Sequence, residues 1–411
     1  MCNGTIMDKL ISFSIPLMLS GILQLMFNAV DIVVVGRFSG SQALAAVGST
    51  TALINVFTNL FIGISLGANV LAARYYATGK TKEMSETVHT AIALALVSGV
   101  AMAVIGVVFA RGALEIMGTP DDVIAKSTLY MQIYFCGMPF FMMYNYGAAI
   151  LRAVGDTKRP LIFLIVSGVI NAVLNLFLVI GFHLDVAGVG IATVISQLVS
   201  CILVLRCLHH TESSYQLHLA KLRIRSVYLK QIFEVGVPAG IQSTVINISN
   251  AMLQSSVNSF GSIAMAGYTA SNNIFGFLYV SVNSFTQACM SFTSQNYGVK
   301  KLKRMDRVLI DCMILSVVVT LILGSSVYIF GPELLHIYSN QADVIKYGME
   351  IFSYTTVTYF LCGLMDLFPG ALRGMGYSTV PMILSIIGTV GVRIISVSYT
   401  RLRSHETGRN L

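Results

Sequence analysis

Charge is scarce in this sequence. Only 11% of its 411 residues are Asp, Glu, Lys or Arg, against 55% that are apolar, and the mean hydropathy is +0.77. A soluble chain of this length needs more charge to cover its surface, so that class is excluded. Alternating segments of ~10 residues are also missing, which excludes an outer-membrane barrel. The seven cysteines make no CxxC and no paired spacing. Cys201, Cys289 and Cys312 fall in apolar runs and read as small core residues, neither disulfides nor metal ligands. The His pair at 209–210 has no third ligand near it in sequence. Clustered acids, a His–Asp pair and a Ser or Cys nucleophile motif are all lacking. The chain is therefore expected not to be an enzyme and to carry no cofactor or resident metal.

What the chain does have is long apolar runs, each able to cross a ~30 Å hydrocarbon core as a helix. Eleven are read, at approximately 10–35, 46–73, 88–110, 128–151, 160–182, 187–208, 231–257, 262–292, 308–331, 348–371 and 379–396. The fold class is an all-α polytopic membrane protein. Lys9 precedes the first run and no small-residue cleavage site follows it, so that run reads as an uncleaved anchor. The net charge of +8 is unevenly placed. Lys and Arg crowd the loops after spans 2, 4, 6 and 8 and thin out after spans 1, 3, 5, 7 and 9. That bias puts the amino terminus and the even loops in the cytoplasm. The run KKLKR at 300–304 then reads as topology and anionic-lipid contact, and no nucleic-acid partner is expected. The NGT at 3–5 falls on the cytoplasmic side and is discounted as a glycosylation site.

The chain repeats itself. LRAVGDTKRP (151–160) resembles LRGMGYSTVP (372–381), and ARYYATGKTKEM (73–84) falls on SQNYGVKKLKRM (294–305), both at a shift of 221. ALAAVG (43–48) falls on AMAGYT (264–269) at the same shift, and Pro16 on Pro238 at 222. Four matches in one order at nearly one offset define an internal repeat. Six spans separate equivalent positions, so both halves share one orientation, giving a parallel repeat of two pseudo-symmetric six-helix bundles. Such bundles enclose a central cavity and can rock between two openings. The expected division is an amino-terminal lobe, 1–215 with spans 1–6, and a carboxy-terminal lobe, 216–411 with spans 7–11. The repeat predicts a twelfth span ending near residue 430, beyond the last residue. The polar SVSYTRLRSHETGRNL matches nothing in the first half. The expectation is a truncated second lobe with a non-native tail from about residue 396; the alternative is a genuine eleven-span variant.

Polar residues inside the spans mark the candidate site. Gln24, Asn28 and Asp31 share one face of span 1. An ionised acid in hydrocarbon is costly and should face a cavity or a partner, although Asp31 is also close enough to the span's end to reach the interface. Asn171 and Asn175 in span 5, and Thr193 in span 6 with Ser196 and Gln197 beyond it, are candidates to bond Asp31 or to complete an oxygen cage for Na⁺. The plainer reading of these amides and hydroxyls is helix–helix glue. In the second half, Ser243, Asn247, Asn250 and Gln254 form a stripe on span 7, no acid repeats Asp31, and Asp366 in span 10 is the candidate buried acid.

These pieces together resemble the multidrug and toxic compound extrusion (MATE) family over about residues 8–395. They are Pro16 with VDIVVVGRFSG, GANVLAARYYATG, ILRAVGDTKRP, NAVLNL, AGVGIATVISQ, VGVPAGIQ, SQNYG and ALRGMGYSTVP. The resemblance implies twelve helices in two lobes and a secondary active antiporter that exports cationic amphiphilic drugs in exchange for H⁺ or Na⁺. By that likeness Asp31 is the ion-coupling acid, Gln24, Asn171, Asn175 and Thr193 surround it, and Pro16 is the proline at which the first helix bends. Asn175 departs from relatives that carry Asp there, which leaves the choice of ion open. A monomer in a prokaryotic plasma membrane is expected, with organic cations and the lipid bilayer as partners. The rivals are a lipid-linked oligosaccharide flippase of related architecture, which should have a basic cavity, and an integral membrane enzyme.

Overall fold

A computed structural model describes residues 1–258, 261–393 and 395–396. Helices make up nearly all of it, and each apolar run identified above falls on helix over its described residues. In chain order they are α1 (Ile6–Phe38), α2 (Gly40–Ala77), α3 (Thr81–Ile116), α4 (Asp121–Cys136), α5 (Met138–Val154), α6 (Lys158–Asn175) and α7 (Asp185–His209). The second half comprises α8 (Ser226–Asn258), α9 (Ser262–Gly298), α10 (Leu302–Ile329), α11 (Gly331–His336), α12 (Ala342–Met375) and α13 (Thr379–Ser385). The span read at 128–151 is two helices, α4 and α5, broken at Gly137. Seven described helices are long and apolar enough to cross a membrane: α1, α2 from Gln42, α3, α6 with its extension to Gly181, α7, α10 and α12. The polar tail expected from about residue 396 lies, beyond Ser396, outside the described residues.

The repeat is visible in the helix ends. A shift of 220 or 221 residues carries the start of α1 onto α8, α3 onto α10, α4 onto α12 and α6 onto α13. The combined length of α4 and α5 becomes the single helix α12. Backbone specials repeat as well. Gly155 (φ 103°) closes α5 and Gly376 (φ 98°) closes α12, both in the left-handed region where a side chain is strained.

The bundle is apolar on its outside as well as in its core. Val104, Val169, Val173, Ile322 and Val357 lie on the outer surface, while Asn69, Asn171, Asn175 and Asn296 are buried. Without water to solvate amides at this depth, polar side chains turn inward.

The halves meet through two equivalent pairings, α2 along α8 and α1 along α9, and through α2 against α9. The α2–α8 seam is backbone on backbone. A β-carbon on Gly63 would lie 2.2 Å from Gly240 Cα, and one on Gly67 would lie 2.1 Å from Ile232 O. Only glycine allows that approach. Nearby, Ser291 donates to Asn69 Oδ1 (3.1 Å) and Asn69 Nδ2 to Ala149 O (2.8 Å). Ser294 donates to Val70 O and Gln295 to Ala153 O, each at 2.6 Å, and Arg74 to Met375 O at 3.0 Å. These contacts gather at the end of the bundle that carries the basic loops. There the start of α1 joins the core of the second half, with Phe13 edge-on to Phe292 at 5.5 Å.

Candidate functional site

Asp31 stands in the penultimate turn-pair of α1, far from the basic end. The ring of Phe27, one turn earlier, fills the space that a side chain at Gly168 of α6 would occupy, which draws α1 and α6 together. At that junction Asn175 Nδ2 donates to Asp31 Oδ1 and also to Asn171 Oδ1, the latter at 3.2 Å. Asn175 is fully buried and Asn171 nearly so. The α-helical pattern stops at Asn175, and the next six residues, Leu176–Gly181, form a π-helical segment. Such segments widen the backbone ladder and occur at functional sites.

Tyr130 and Tyr134 of α4 lie within electrostatic reach of Asp31. Gln197 of α7 completes the surround, with its Oε1 where a side chain on Gly137 would collide at 2.3 Å. The break between α4 and α5 therefore makes room for this amide. Asn175 Oδ1 and Gln197 Oε1 are buried and accept no hydrogen bond among the described residues. A carboxylate and spare amide oxygens are hard donors, suited to a proton or to a small cation such as Na⁺. The two tyrosines escaped the sequence reading, because an aromatic on a helix face carries no signal that separates it from packing.

The other sequence candidates are placed as follows. Thr193 Oγ1 donates to Val189 O of its own helix (2.9 Å) and Ser196 does likewise to Thr193 O (2.8 Å), so neither hydroxyl is directed at Asp31. Gln24 and Asn28 are exposed on the turns before Asp31. Pro16 is buried and α1 runs continuously through it. On α8, Ser243 and Asn247 bond carbonyls of their own helix, Ala239 O (3.1 Å) and Ser243 O (3.0 Å). Asn250 accepts from Arg393 Nη1 at 2.5 Å, and Gln254 follows one turn on.

Asp366 of α12 lies within electrostatic reach of Arg373 on the same helix. Arg373 donates to Gln242 Oε1 (2.5 Å), and Gln242 Nε2 donates to Ser385 Oγ (2.7 Å). That chain ties α12, α8 and α13 together. Gln242 was missed because a lone amide inside a span reads as glue.

A helical bundle of two repeated halves, apolar outside and holding a half-buried acid between its helices, has the build of a transporter of the two-lobed class. The sequence model of the MatE family matches residues 16–177 and, again, 238–399. The chain belongs to that family, and the double match is the repeat itself. Among curated relatives, the probable multidrug resistance protein YoeA of Bacillus subtilis is 29% identical over 401 residues, covering 95% of this chain and 87% of its own. The multidrug export protein MepA of Staphylococcus saprophyticus is 23% identical, covering 97% and 87%. Among solved structures, the outward-facing conformation of a multidrug resistance MATE family transporter superposes with a TM-score of 0.90 at 20% identity, covering 97% of this chain and 88% of that one.

Proposed function

We propose that this protein is a secondary active antiporter that exports cationic amphiphilic drugs across a prokaryotic plasma membrane in exchange for H⁺ or Na⁺. The observation that carries the reading is the Asp31–Asn175–Asn171 cluster at the α1–α6 junction, with buried amide oxygens beside it. The names of the relatives, multidrug resistance and multidrug export, support a drug substrate.

The mechanism follows from charge. Ionised Asp31 favours the state that holds an organic cation. A proton or Na⁺ at Asp31 neutralises it, weakens its claim on the Asn175 amide and loosens the α1–α6 contact. Coupling requires only that ion and drug prefer different states. The glycine seam between α2 and α8 is the gate at the basic end, and the distribution of Lys and Arg supports a cytoplasmic side for that end and for the amino terminus. Both lobes come from one chain, so a monomer suffices.

The test is dye accumulation in an efflux-deficient bacterial host. Expression of the protein should lower ethidium accumulation, and a protonophore or removal of Na⁺ should restore it. Equal accumulation with and without the protein would sink the reading.

A further inference from the structure

The chain crosses from one half to the other through residues 210–225, between α7 and α8. This linker folds back on the end of α7 and then docks on the start of α3. Leu217 N–H donates to Leu208 O (3.0 Å), and the Leu217 side chain is fully buried in the core of the first half. His218 follows. Its backbone N–H donates to Nε2 of His89 on α3 (3.1 Å), and the two imidazoles stack with centroids 6.2 Å apart. Further on, Arg225 N–H donates to Thr90 Oγ1 (3.3 Å), and Arg223 and Arg225 pair with Glu86. His89 is buried at the first of these contacts with α3.

Both ring nitrogens of His89 are committed. Nδ1 lies 2.7 Å from Ser85 O, one turn earlier, and a carbonyl only accepts, so Nδ1 carries the hydrogen. Nε2 faces the His218 N–H, which only donates, so Nε2 is bare. The docked linker therefore requires neutral His89. A second proton would set a hydrogen on Nε2 against that of the His218 amide, and a buried donor left without an acceptor is costly. The neighbouring imidazoles do not share this property. His209 and His210 donate from Nδ1 to Leu217 O (2.9 Å) and Arg206 O (3.0 Å), bonds that survive protonation. His218 takes part through its backbone. A shift of 221 puts Ile310 on His89, so the second half has no counterpart.

The charged and titratable groups around the ring come from four elements. On α3 itself, Glu86 is matched by the two arginines, and Glu83 lies within electrostatic reach of Tyr75 of α2 and Tyr228 of α8. Those two phenols meet edge-on and carry no charge near neutral pH. On the linker side, His209 and Lys221 lie, with His89, within electrostatic reach of His218.

We propose that His89 is a pH switch for the linker. Neutral, it holds the linker on α3; protonated, it releases the linker and slackens the tie between the two halves. The device is independent of what is transported.

The sequence has no tryptophan, so Tyr215→Trp in the purified full chain gives a single reporter on the linker. In the docked linker Tyr215 stands edge-on to Tyr76 of α2, with centroids 6.1 Å apart. Acrylamide quenching of the reporter's fluorescence reads release. Quenching should rise as pH falls from about 8 to 5, the range in which imidazoles titrate. The docking equilibrium should weaken about tenfold, the scale of one buried hydrogen bond lost. In the same background His89→Gln should hold quenching at its pH 8 level throughout. His218→Gln, which keeps the backbone donor, should retain the transition. Constant quenching across the range in Tyr215→Trp alone, a transition that survives His89→Gln, or one that disappears in His218→Gln would overturn the proposal.

Discussion

Asn175 donates its amide to the carboxylate of Asp31 across the α1–α6 junction, from a position 144 residues away in sequence. The same amide nitrogen also reaches Asn171 Oδ1. Asn175 is thus the link that holds the acid against α6, and Asn171 touches the acid only through it.

That order has a consequence for coupling. Asn175→Ala should lower the initial rate of ion-driven dye export about tenfold, the scale of a lost hydrogen bond to a charged group. Asn171→Ala should lower it less, about threefold. Equal rates in wild type and Asn175→Ala would place the pair outside the coupling step.

The seam between α2 and α8 predicts a conformational phenotype. A valine at Gly63 cannot coexist with the α2–α8 contact, because even its β-carbon would lie 2.2 Å from Gly240 Cα. Gly63→Val should expose residues beneath the seam. Ser291→Cys, buried beside Asn69, is the reporter. Its reaction with a maleimide should speed up about tenfold, since each ~1.4 kcal/mol lost from the closed state is a factor of ten. An unchanged rate would show that the seam does not close the basic end.

The linker between the halves offers a test by pH. Glu86 at the start of α3 pairs with Arg223 and Arg225, and hydrogen bonding from Arg223 holds its carboxyl below the ordinary value of 4.5. A carboxyl depressed in the folded state stabilises above its unfolded pKa and loses that contribution as pH falls through the folded one. Glu86→Gln should therefore lower Tm modestly at pH 7. The difference should shrink once pH drops below about 4.5 and vanish in stronger acid. A Tm difference independent of pH would mean that the pair contributes through packing alone.

Much of this was legible in the sequence, for physical reasons. A helix in lipid must be long and apolar, so the spans announced themselves. A duplicated bundle must cap equivalent helices in the same way, so Gly155 and Gly376 betrayed the repeat. Asp31, Asn171 and Asn175 stood out because polar groups are rare at that depth, and the structure gathers all three. What escaped depends on relations between helices. The break at Gly137 clears space for Gln197 from another helix, and no local pattern marks it. Arg393 carried no marker in sequence of its contact with Asn250, which lies on another helix.

The central claim is that ion binding at Asp31 drives export. The direct measurement is ethidium transport into proteoliposomes under an imposed proton gradient and, separately, an imposed sodium gradient, with wild type and Asp31→Asn side by side. The account predicts transport by wild type under one of the two gradients, reduced to the level of empty liposomes in Asp31→Asn. Gradient-driven transport of the same rate in Asp31→Asn would contradict it and reduce Asp31 to an acid that only joins two helices.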